Sequence, residues 1–448
     1  MLLLDRLKLA LSNFAHALMS SAKMILPKRT QEKEISLLMH YLDEVFPLQF
    51  PFHERRYVGK REWLLTILAS TRPVYYATLS LSLLHKEACL HEFEAELAEI
   101  WQKEKMRYYI LALQESQQQL DALDTAYGIA KMKGNIHALA STLQLISFES
   151  SSLSKGDWQL HLRAGTSLIP VLVDGWAVAL KSENLASSSS LWTELDASDF
   201  NATHDEDSLS YEYVGALKFF ANVLAMFGIF SCISIGPSSP FMEYRFLMDQ
   251  AGLIQMDQIT GCRNWVMLAI LEVGTLDKWK REEQENRRLS LKALTSRAMA
   301  IEGVLESGLR EASGSALVDL ITSIYATSTL TYLHTVVSGL NPNLSEVQES
   351  VAATIALLKR LPDLRAAKNL VWPLGVTGCM ASRSQEDFFR GLIISAGATP
   401  RALRNCWGLM NVWEDTWKMR EYMSKQPPER WEEVVSGQGP PMLLLYTA

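Results

Sequence analysis

Cysteines are few in this chain and lie far apart. Its five cysteines are spread over 448 residues and form no Cys-x-x-Cys pair. A secreted protein held by disulfides needs an even set at close spacing, and a structural zinc site needs four ligands that are usually paired along the chain. We therefore expect reduced thiols inside a cell, where buried cysteine behaves as a small apolar side chain.

Motifs of the common enzyme classes are also missing. The sequence has no GxxxxGK[ST] phosphate loop, no GxGxxG after a strand, no GxSxG elbow, no HExxH motif and no EF-hand loop. His85, Cys89 and His91 form a compact group of potential metal ligands, but a helix would place His91 on a different face from the other two. We predict no catalytic, cofactor-binding or metal-binding residues, and no cofactor.

Charge of one sign is not strongly in excess. The chain has 43 basic and 50 acidic residues, a net charge of −7, and 48% of its residues are apolar. This balance excludes a general attraction to nucleic-acid phosphates and a wholly disordered chain. The basic residues from Lys278 to Lys292 alternate with acidic ones, which is typical of a solvated helix rather than of a nuclear import signal or a DNA-binding patch.

His161 and His334 lie in apolar, helix-forming segments. Ring nitrogens in such places are normally satisfied by a backbone group or a carboxylate, and we expect this for both. Asp157 precedes Trp158 at a helix start. We therefore predict a helix N-cap followed by a buried aromatic, rather than an acid and base pair with His161.

The N-terminal segment, residues 1–30, has the pattern of an amphipathic helix. A secretory signal is excluded because Asp5, Arg6 and Lys8 interrupt the apolar run. A mitochondrial leader, a helix packed on its own domain and a pairing seam between two copies remain open. The apolar positions recur every three or four residues, as in a coiled coil: Leu4, Leu7, Leu11, Phe14 and Leu18.

The next part of the chain contains segments with the apolar periodicity of helices, and prolines separate these segments. We predict that Pro47 ends the first of them and that Pro73 divides the next helical region in two. A later antiparallel pair is expected to turn at Lys133-Gly134-Asn135. The face that ends at Pro47 comprises Ile35, Leu38, Met39, Leu42, Val45 and Phe46.

The clearest single helix spans residues 346–361. We expect Ser345 to cap it, with Gln348 reaching back, and Pro362 to prevent its continuation. Its apolar stripe is predicted to face the core: Val347, Val351, Ile355 and Leu358.

Two interior stretches have an unusual composition. Residues 182–210 contain four consecutive serines and an acidic cluster, so we expect a flexible loop there. Residues 219–235 are uncharged, but Pro237 and Pro240 follow, and we favour a core helix over a membrane span. No long alternating β pattern occurs. The predicted fold class is all-α: a large bundle or array of antiparallel helix pairs without significant sheet.

Several helical blocks occur in a recognisable order. Two of them are GCRNWVMLAILEVGTLDKWK (261–280) and LVWPLGVTGCMASRSQEDFFR (370–390). The blocks before and between them are HYLDEVFPLQFPF, GKREWLLTILASTRPVYYATLSLSLLH, RYYILALQES, ALASTLQLISFES, GDWQLHLRAGTSLI and TYLHTVVSGLNPNL. From about Ile35 to about Tyr422, this series resembles the fungal-specific regulatory domain that lies downstream of the binuclear zinc cluster in fungal transcription factors.

The resemblance implies an α-helical regulatory domain of a nuclear transcription factor for metabolic or secondary-metabolite genes. In that family a cluster of closely spaced N-terminal cysteines holds the zinc and contacts DNA. The first cysteine here is Cys89, so we expect no zinc-cluster module and no direct nucleic-acid binding in this chain. The expected division is an N-terminal segment at 1–30, the regulatory domain at 31–422 and a tail at 423–448.

No functional residue is carried over from the family. The leading hypothesis is a non-enzymatic transcription regulator in the nucleus, whose partners are proteins of the transcription machinery, with a small-molecule effector and a homodimer as further options. The alternatives are a small-molecule-binding protein or enzyme of a biosynthetic pathway on the same scaffold, and a membrane protein. Four tryptophans are expected in the core or lining a cavity: Trp158, Trp265, Trp372 and Trp413.

Overall fold

The computed structural model describes residues 30–56, 62–90, 95–123, 126–151, 158–170, 173, 211–235, 245, 247–248, 253–311, 316–396 and 404–422. Over these residues the chain is mostly helical and contains no β-strand. The predicted all-α fold class is therefore confirmed. Residues 1–29, the expected loop at 182–210 and the tail at 423–448 lie outside the described residues.

Helices of the first half of the chain surround one buried helix. A π-helical turn, Tyr41–Val45, joins the first two of them. The helices are α1 (Thr30–His40), α2 (Phe46–Gln49), α3 (Pro51–Arg56), α4 (Glu62–Ser70), α5 (Arg72–Ala88), α6 (Ala95–Leu123), α7 (Gly128–Ser151), α8 (Trp158–Ser167) and the buried α9 (Tyr211–Ile235).

Helices of the second half form a second group around another buried helix, α12. Short 3-10 turns, Met256–Gln258 and Leu364–Asn369, connect parts of this group. The helices are α10 (Asn264–Glu285), α11 (Leu291–Glu311), α12 (Leu317–Ser338), α13 (Ser345–Leu358), α14 (Val371–Cys379), α15 (Glu386–Ser395) and α16 (Arg404–Tyr422).

Helices α5 and α6 pack antiparallel, as the predicted helix pairs require. In α5 and α6, Arg72 lies 3.5 Å from Glu115 at one end, and Glu87 contacts Lys105 at the other. Pro73 lies in the first turn of α5, directly after α4 ends, so the prediction that it divides this region is confirmed. Proline is well tolerated there because the first backbone N–H groups of a helix have no intrahelical acceptor.

Helix α9 joins the two groups, because it contacts α4, α7 and α8 on one side and α10 on the other. Its segment Glu212–Ser231 is apolar and long enough to cross a membrane, but 94% of it is buried against neighbouring helices. A helix that is hydrophobic all round is stable inside a protein when neighbours cover every face. The expectation of a core helix ending before Pro237 agrees with this arrangement.

The prediction that Pro47 ends the first helical region is wrong. The chain remains helical to Gln49, with Pro47 in the first turn of α2. The π-helical turn before it interrupts the regular hydrogen-bond ladder where proline lacks an N–H, so the proline is accommodated. The predicted apolar face is also only partly buried, because Ile35 and Met39 are 55% and 46% exposed.

The turn predicted at Lys133-Gly134-Asn135 is wrong as well. These residues lie inside α7, which begins at Gly128. Gly134 serves close packing instead of a turn: a Cβ placed there would lie 2.2 Å from Cδ2 of Leu123 at the end of α6. The glycine therefore marks a close helix contact, a signal that sequence punctuation does not distinguish from a turn.

The capping prediction for the helix after Asn341 is wrong in detail. Leu344 is the N-cap, and Ser345 is already helical, with its Oγ 3.0 Å from the Glu346 carboxylate. The Gln348 amide does reach back, but it donates to the carbonyl of Pro342. The predicted stripe is confirmed as buried: Val347, Val351, Ile355 and Leu358.

Two helical glycines provide a matched test of close packing. A Cβ on Gly378 in α14 would lie 2.4 Å from Nε1 of Trp413, a rigid buried ring, whereas Gly391 in α15 has no atom within 4 Å. We expect Gly378→Ala to lower the free energy of unfolding by about 1–3 kcal/mol through overpacking. Gly391→Ala should raise it by up to about 1 kcal/mol through helix propensity. Urea unfolding of both variants measures this, and equal shifts would contradict the close contact of α14 with α16.

Candidate functional site

A stack of aromatic rings lies where α9, α12 and α14 meet. The rings of Tyr325 and Trp372 are nearly parallel, with 6° between their planes and 6.0 Å between their centroids. Phe230 lies 6.2 Å from Tyr325 and 5.9 Å from Trp372, and Tyr332 meets Trp372 edge-on. All four side chains are fully buried. Stacked and edge-on pairs add to the area that they bury, so this cluster fixes the mutual position of three helices.

Short hydroxyl side chains also connect α12 to α13 and to α14 by hydrogen bonds. Thr327 and Thr354 Oγ1 atoms lie 2.8 Å apart, and Thr331 lies 2.8 Å from Ser350, so two hydrogen bonds link α12 to α13. Thr377 of α14 donates to Ser328 over 3.0 Å. Because the alternative partner of a buried hydroxyl is its own helix, these bonds can be exchanged at small cost.

A buried carboxyl group connects α6, α7 and α8. Glu149 accepts a hydrogen bond from the Tyr109 hydroxyl, and its Oε1 lies 2.9 Å from Nε2 of His161. All three residues are at most 5% exposed. The prediction that a carboxylate satisfies His161 is confirmed. The arrangement holds three helices together, since a buried charge or carboxyl group needs its partners.

A second polar cluster lies between α4, α7 and α9. Nε2 of His137 is 3.1 Å from Ser70 Oγ and 3.0 Å from the Tyr213 hydroxyl. Burial, with Lys133 nearby, lowers the pKa of His137 to about 4. Ser70 resembles a nucleophile beside a base, but its hydroxyl lies 2.9 Å from the Ile67 carbonyl and donates there. The imidazole is therefore neutral at neutral pH, and its Nε2 lies within hydrogen-bond distance of both hydroxyl groups.

A partly exposed histidine pair joins α1 to the end of α5. His40 Nε2 lies 3.0 Å from His85 Nδ1, while His85 Nε2 is 3.9 Å from the Cys89 sulfur. Burial lowers the pKa of His40 to about 4 and also lowers that of His85. Burial raises the pKa of Cys89, so its thiol is protonated at neutral pH.

Of the three potential metal ligands considered above, His85 and Cys89 belong to the described residues, and His91 lies outside them. No group of three His, Cys, Asp or Glu side chains among the described residues is arranged to hold a metal ion. Sequence spacing missed His40, which is adjacent in space to His85 but distant along the chain. The absence of metal-binding residues stays a prediction.

The remaining expectations for polar residues are largely confirmed. His334 lies 3.1 Å from the Glu346 carbonyl and 3.2 Å from the Glu302 carboxylate. In the basic run, Arg281 pairs with Asp277 at 2.9 Å. Lys280, however, donates to the Val336 carbonyl over 2.7 Å, near the end of α12. A cation there is favourable because it satisfies and neutralises the negative end of that helix.

The four tryptophans lie where helices pack against one another. Trp158, Trp372 and Trp413 are buried, as expected for core residues. Trp265 is partly buried and packs its ring against Gly308, where a Cβ would lie 2.5 Å away. The predicted cap at Asp157 lies outside the described residues.

The Glu149 cluster generates a stability test. We expect His161→Leu to lower the free energy of unfolding by about 3 kcal/mol, because it removes a partner of a buried carboxyl group. A triple variant, Tyr109→Phe with Glu149→Leu and His161→Leu, replaces the whole network by apolar groups and should be closer to wild type. Chemical denaturation at neutral pH measures both. A triple variant that is much less stable than His161→Leu would contradict this account.

The His137 cluster generates a pH test. The pKa of His137 is about 4 when folded and about 6.5 when unfolded, so the unfolded chain binds more protons between these values. Stability therefore falls as the pH drops from about 6.5 to about 4, by up to about 3 kcal/mol for this residue. His137→Gln keeps an acceptor but does not titrate, and it should lose less stability between pH 7 and pH 4.5. An unchanged pH profile would count against the buried neutral imidazole.

Comparison with known proteins identifies the family. A family model described as fungal specific transcription factor domain matches residues 36–445. Trichothecene biosynthesis transcription regulator TRI10 of Trichoderma arundinaceum is 97% identical over 422 residues, covering 94% of this chain and 100% of the relative. The protein of the same description from Fusarium sporotrichioides is 56% identical over the same shares.

A more distant relative covers nearly the same region. The ustiloxin B cluster transcription factor ustR of Aspergillus flavus is 26% identical over 91% of this chain and 70% of its own length. No solved structure matches the chain. The prediction of a fungal transcription regulator is confirmed, and the chain belongs to the family defined by the fungal specific transcription factor domain.

Proposed function

We propose that this chain regulates transcription of the genes for trichothecene biosynthesis, acting in the nucleus and without catalysing a reaction. The observation that carries the proposal is the 97% identity to a regulator named for that pathway over the whole length of the relative. The relative from the second fungus is also covered over its whole length, at 56% identity. Identity at these levels over the whole length of both relatives supports a common fold for all three.

The proposed route to promoter DNA is indirect. The net charge of −7 gives the chain no general attraction to phosphate, and its basic run is neutralised in part by neighbouring carboxylates. We therefore expect contacts with other proteins of the transcription machinery. Pairing of two copies, a small-molecule effector and the division at residues 30 and 422 stay predictions.

The α12 core supports a regulatory rather than a catalytic role. Rings link it to α9 and α14, and exchangeable hydroxyl bonds link it to α13 and α14. A shift of any one of these helices would have to be accommodated by α12, since close-packed interiors transmit displacement. The proposal is that binding of a partner or effector at one face of the domain displaces helices, and that α12 transmits this displacement to another face.

Deletion and complementation in a trichothecene-producing fungus test the function. Removing the gene is expected to lower the transcripts of the pathway genes and the product together. The wild-type chain should restore both, and so should Gly391→Ala, a surface variant with an intact fold. A fluorescent fusion should accumulate in the nucleus. Loss of product with unchanged transcripts would favour the alternative of a biosynthetic enzyme or binding protein and overturn the proposal.

A further inference from the structure

The turn between α10 and α11 exposes part of the basic run. Helix α10 ends at Glu285 and α11 begins at Leu291, and Arg287, Arg288 and Ser290 between them are exposed. The Arg288 side chain keeps 68% of its accessible surface, and its ion pair with Glu283 has an N–O distance of 3.8 Å. An exposed pair of that length contributes little, so its guanidinium is available to a partner.

The backbone of the turn is built by a defined helix ending. Arg287 has a φ of 55°, the left-handed region that usually favours glycine. Its N–H donates to the Gln284 carbonyl over 2.9 Å, and the next N–H, of Arg288, donates to Glu283 over 2.8 Å. These two bonds form a Schellman motif, which turns the chain away from α10 within two residues. An arginine at the strained position is not explained by the turn itself, since glycine would serve it better.

Ser290 is the N-cap of α11 and remains accessible. Its Oγ accepts a hydrogen bond from the Ala293 N–H over 3.3 Å, and its carbonyl accepts from Leu294. The serine is exposed, so its hydroxyl is accessible to an enzyme. The first turn of a helix lacks part of its hydrogen bonding and opens most easily, so a segment around Ser290 can become extended at small cost.

Leu291, directly after the serine, is 71% exposed. The inward stripe of α11 is formed by other residues, among them Leu294, Ile301 and Leu305. Fold stability therefore does not account for a leucine at this place. An enzyme that accommodates an apolar side chain next to the serine would account for it.

We propose that Ser290 is a phosphorylation site for a serine/threonine protein kinase that recognises basic residues. The sequence Arg287-Arg288-Leu289-Ser290-Leu291 has arginines three and two residues before the serine and an apolar residue after it, a pattern that such kinases read through acidic and apolar pockets. In the whole sequence, an arginine pair at this spacing precedes no other serine or threonine.

The chemistry is a phosphoryl transfer from ATP. Oγ of Ser290 attacks the γ-phosphorus, the new O–P bond forms as the bond to the leaving ADP oxygen breaks, and the hydroxyl proton passes to the carboxylate base of the kinase. The product carries a charge of about −2 at the first turn of α11, where unpaired N–H groups and the positive end of the helix favour an anion. Lys292 and Arg287 are close in sequence to receive it. Modification therefore removes most of the positive charge of this turn.

A kinase assay on the full chain tests the proposal. The purified protein is incubated with Mg·ATP and the catalytic subunit of cAMP-dependent protein kinase, a kinase of this specificity, and then analysed by intact mass and peptide mapping. We expect one phosphoryl group, located on Ser290. Ser290→Asn, which keeps a good N-cap and cannot be modified, should lose it. Arg287→Gln combined with Arg288→Gln should also lose it, although the serine is present.

Ser296→Ala is the matched control, because this serine is also exposed on α11 but has no preceding arginine pair. It should be phosphorylated like wild type. Persistence of the label in Ser290→Asn, or no label on wild type, would overturn the proposal. So would labelling of a synthetic peptide of residues 284–294 but not of the folded chain. The assay reads no transcript, so its failure leaves the proposed function standing, and failure of the deletion test leaves this site standing.

Discussion

Helix α12 can be buried over most of its surface because many of its polar side chains are short hydroxyls. Each of these hydroxyls can bond to a carbonyl one turn back in its own helix, as Thr329 does to Tyr325 over 2.7 Å, so it keeps a partner when a neighbouring helix moves. Between the hydroxyls, Tyr325 presents a flat face to Trp372. The second group of helices is arranged around this one element, and its contacts with α9 extend the core into the first group.

Close approach of helix pairs depends on glycines that face indole rings. Gly378 lies against Trp413 and Gly308 against Trp265, and in each case a methyl group would overlap the ring. The two sequence blocks that carry much of the family resemblance, 261–280 and 370–390, each supply one partner of such a contact. Their characteristic residues are therefore explained by packing geometry, in agreement with a family whose common feature is a domain rather than a reaction.

Several ionisable groups in the described interior are hydrogen-bonded to one another. Glu149 with His161, and His137 with Tyr213, join helices that are distant along the chain. Their hydrogen bonds fix the side chains in place, which suits a structural role. A regulatory modification that changes charge is therefore better accommodated at an exposed turn. There the new charge stays in water and a partner protein can bind it.

The sequence pattern alone determined the all-α class, the break at Pro73, the core helix at 219–235 and the buried stripe of Val347 to Leu358. These features depend on helix periodicity and on proline, whose effects extend over only a few residues. The predictions from local pattern at Pro47 and Gly134 were wrong. Pro47 is tolerated because of the π-helical turn that precedes it, and Gly134 serves a close contact with Leu123 instead of a turn. The pairs His40 with His85 and Glu149 with Tyr109 had no sequence signal. Only the packing of helices decided them, because hydrogen bonds between distant residues depend on distances that the chain order does not contain.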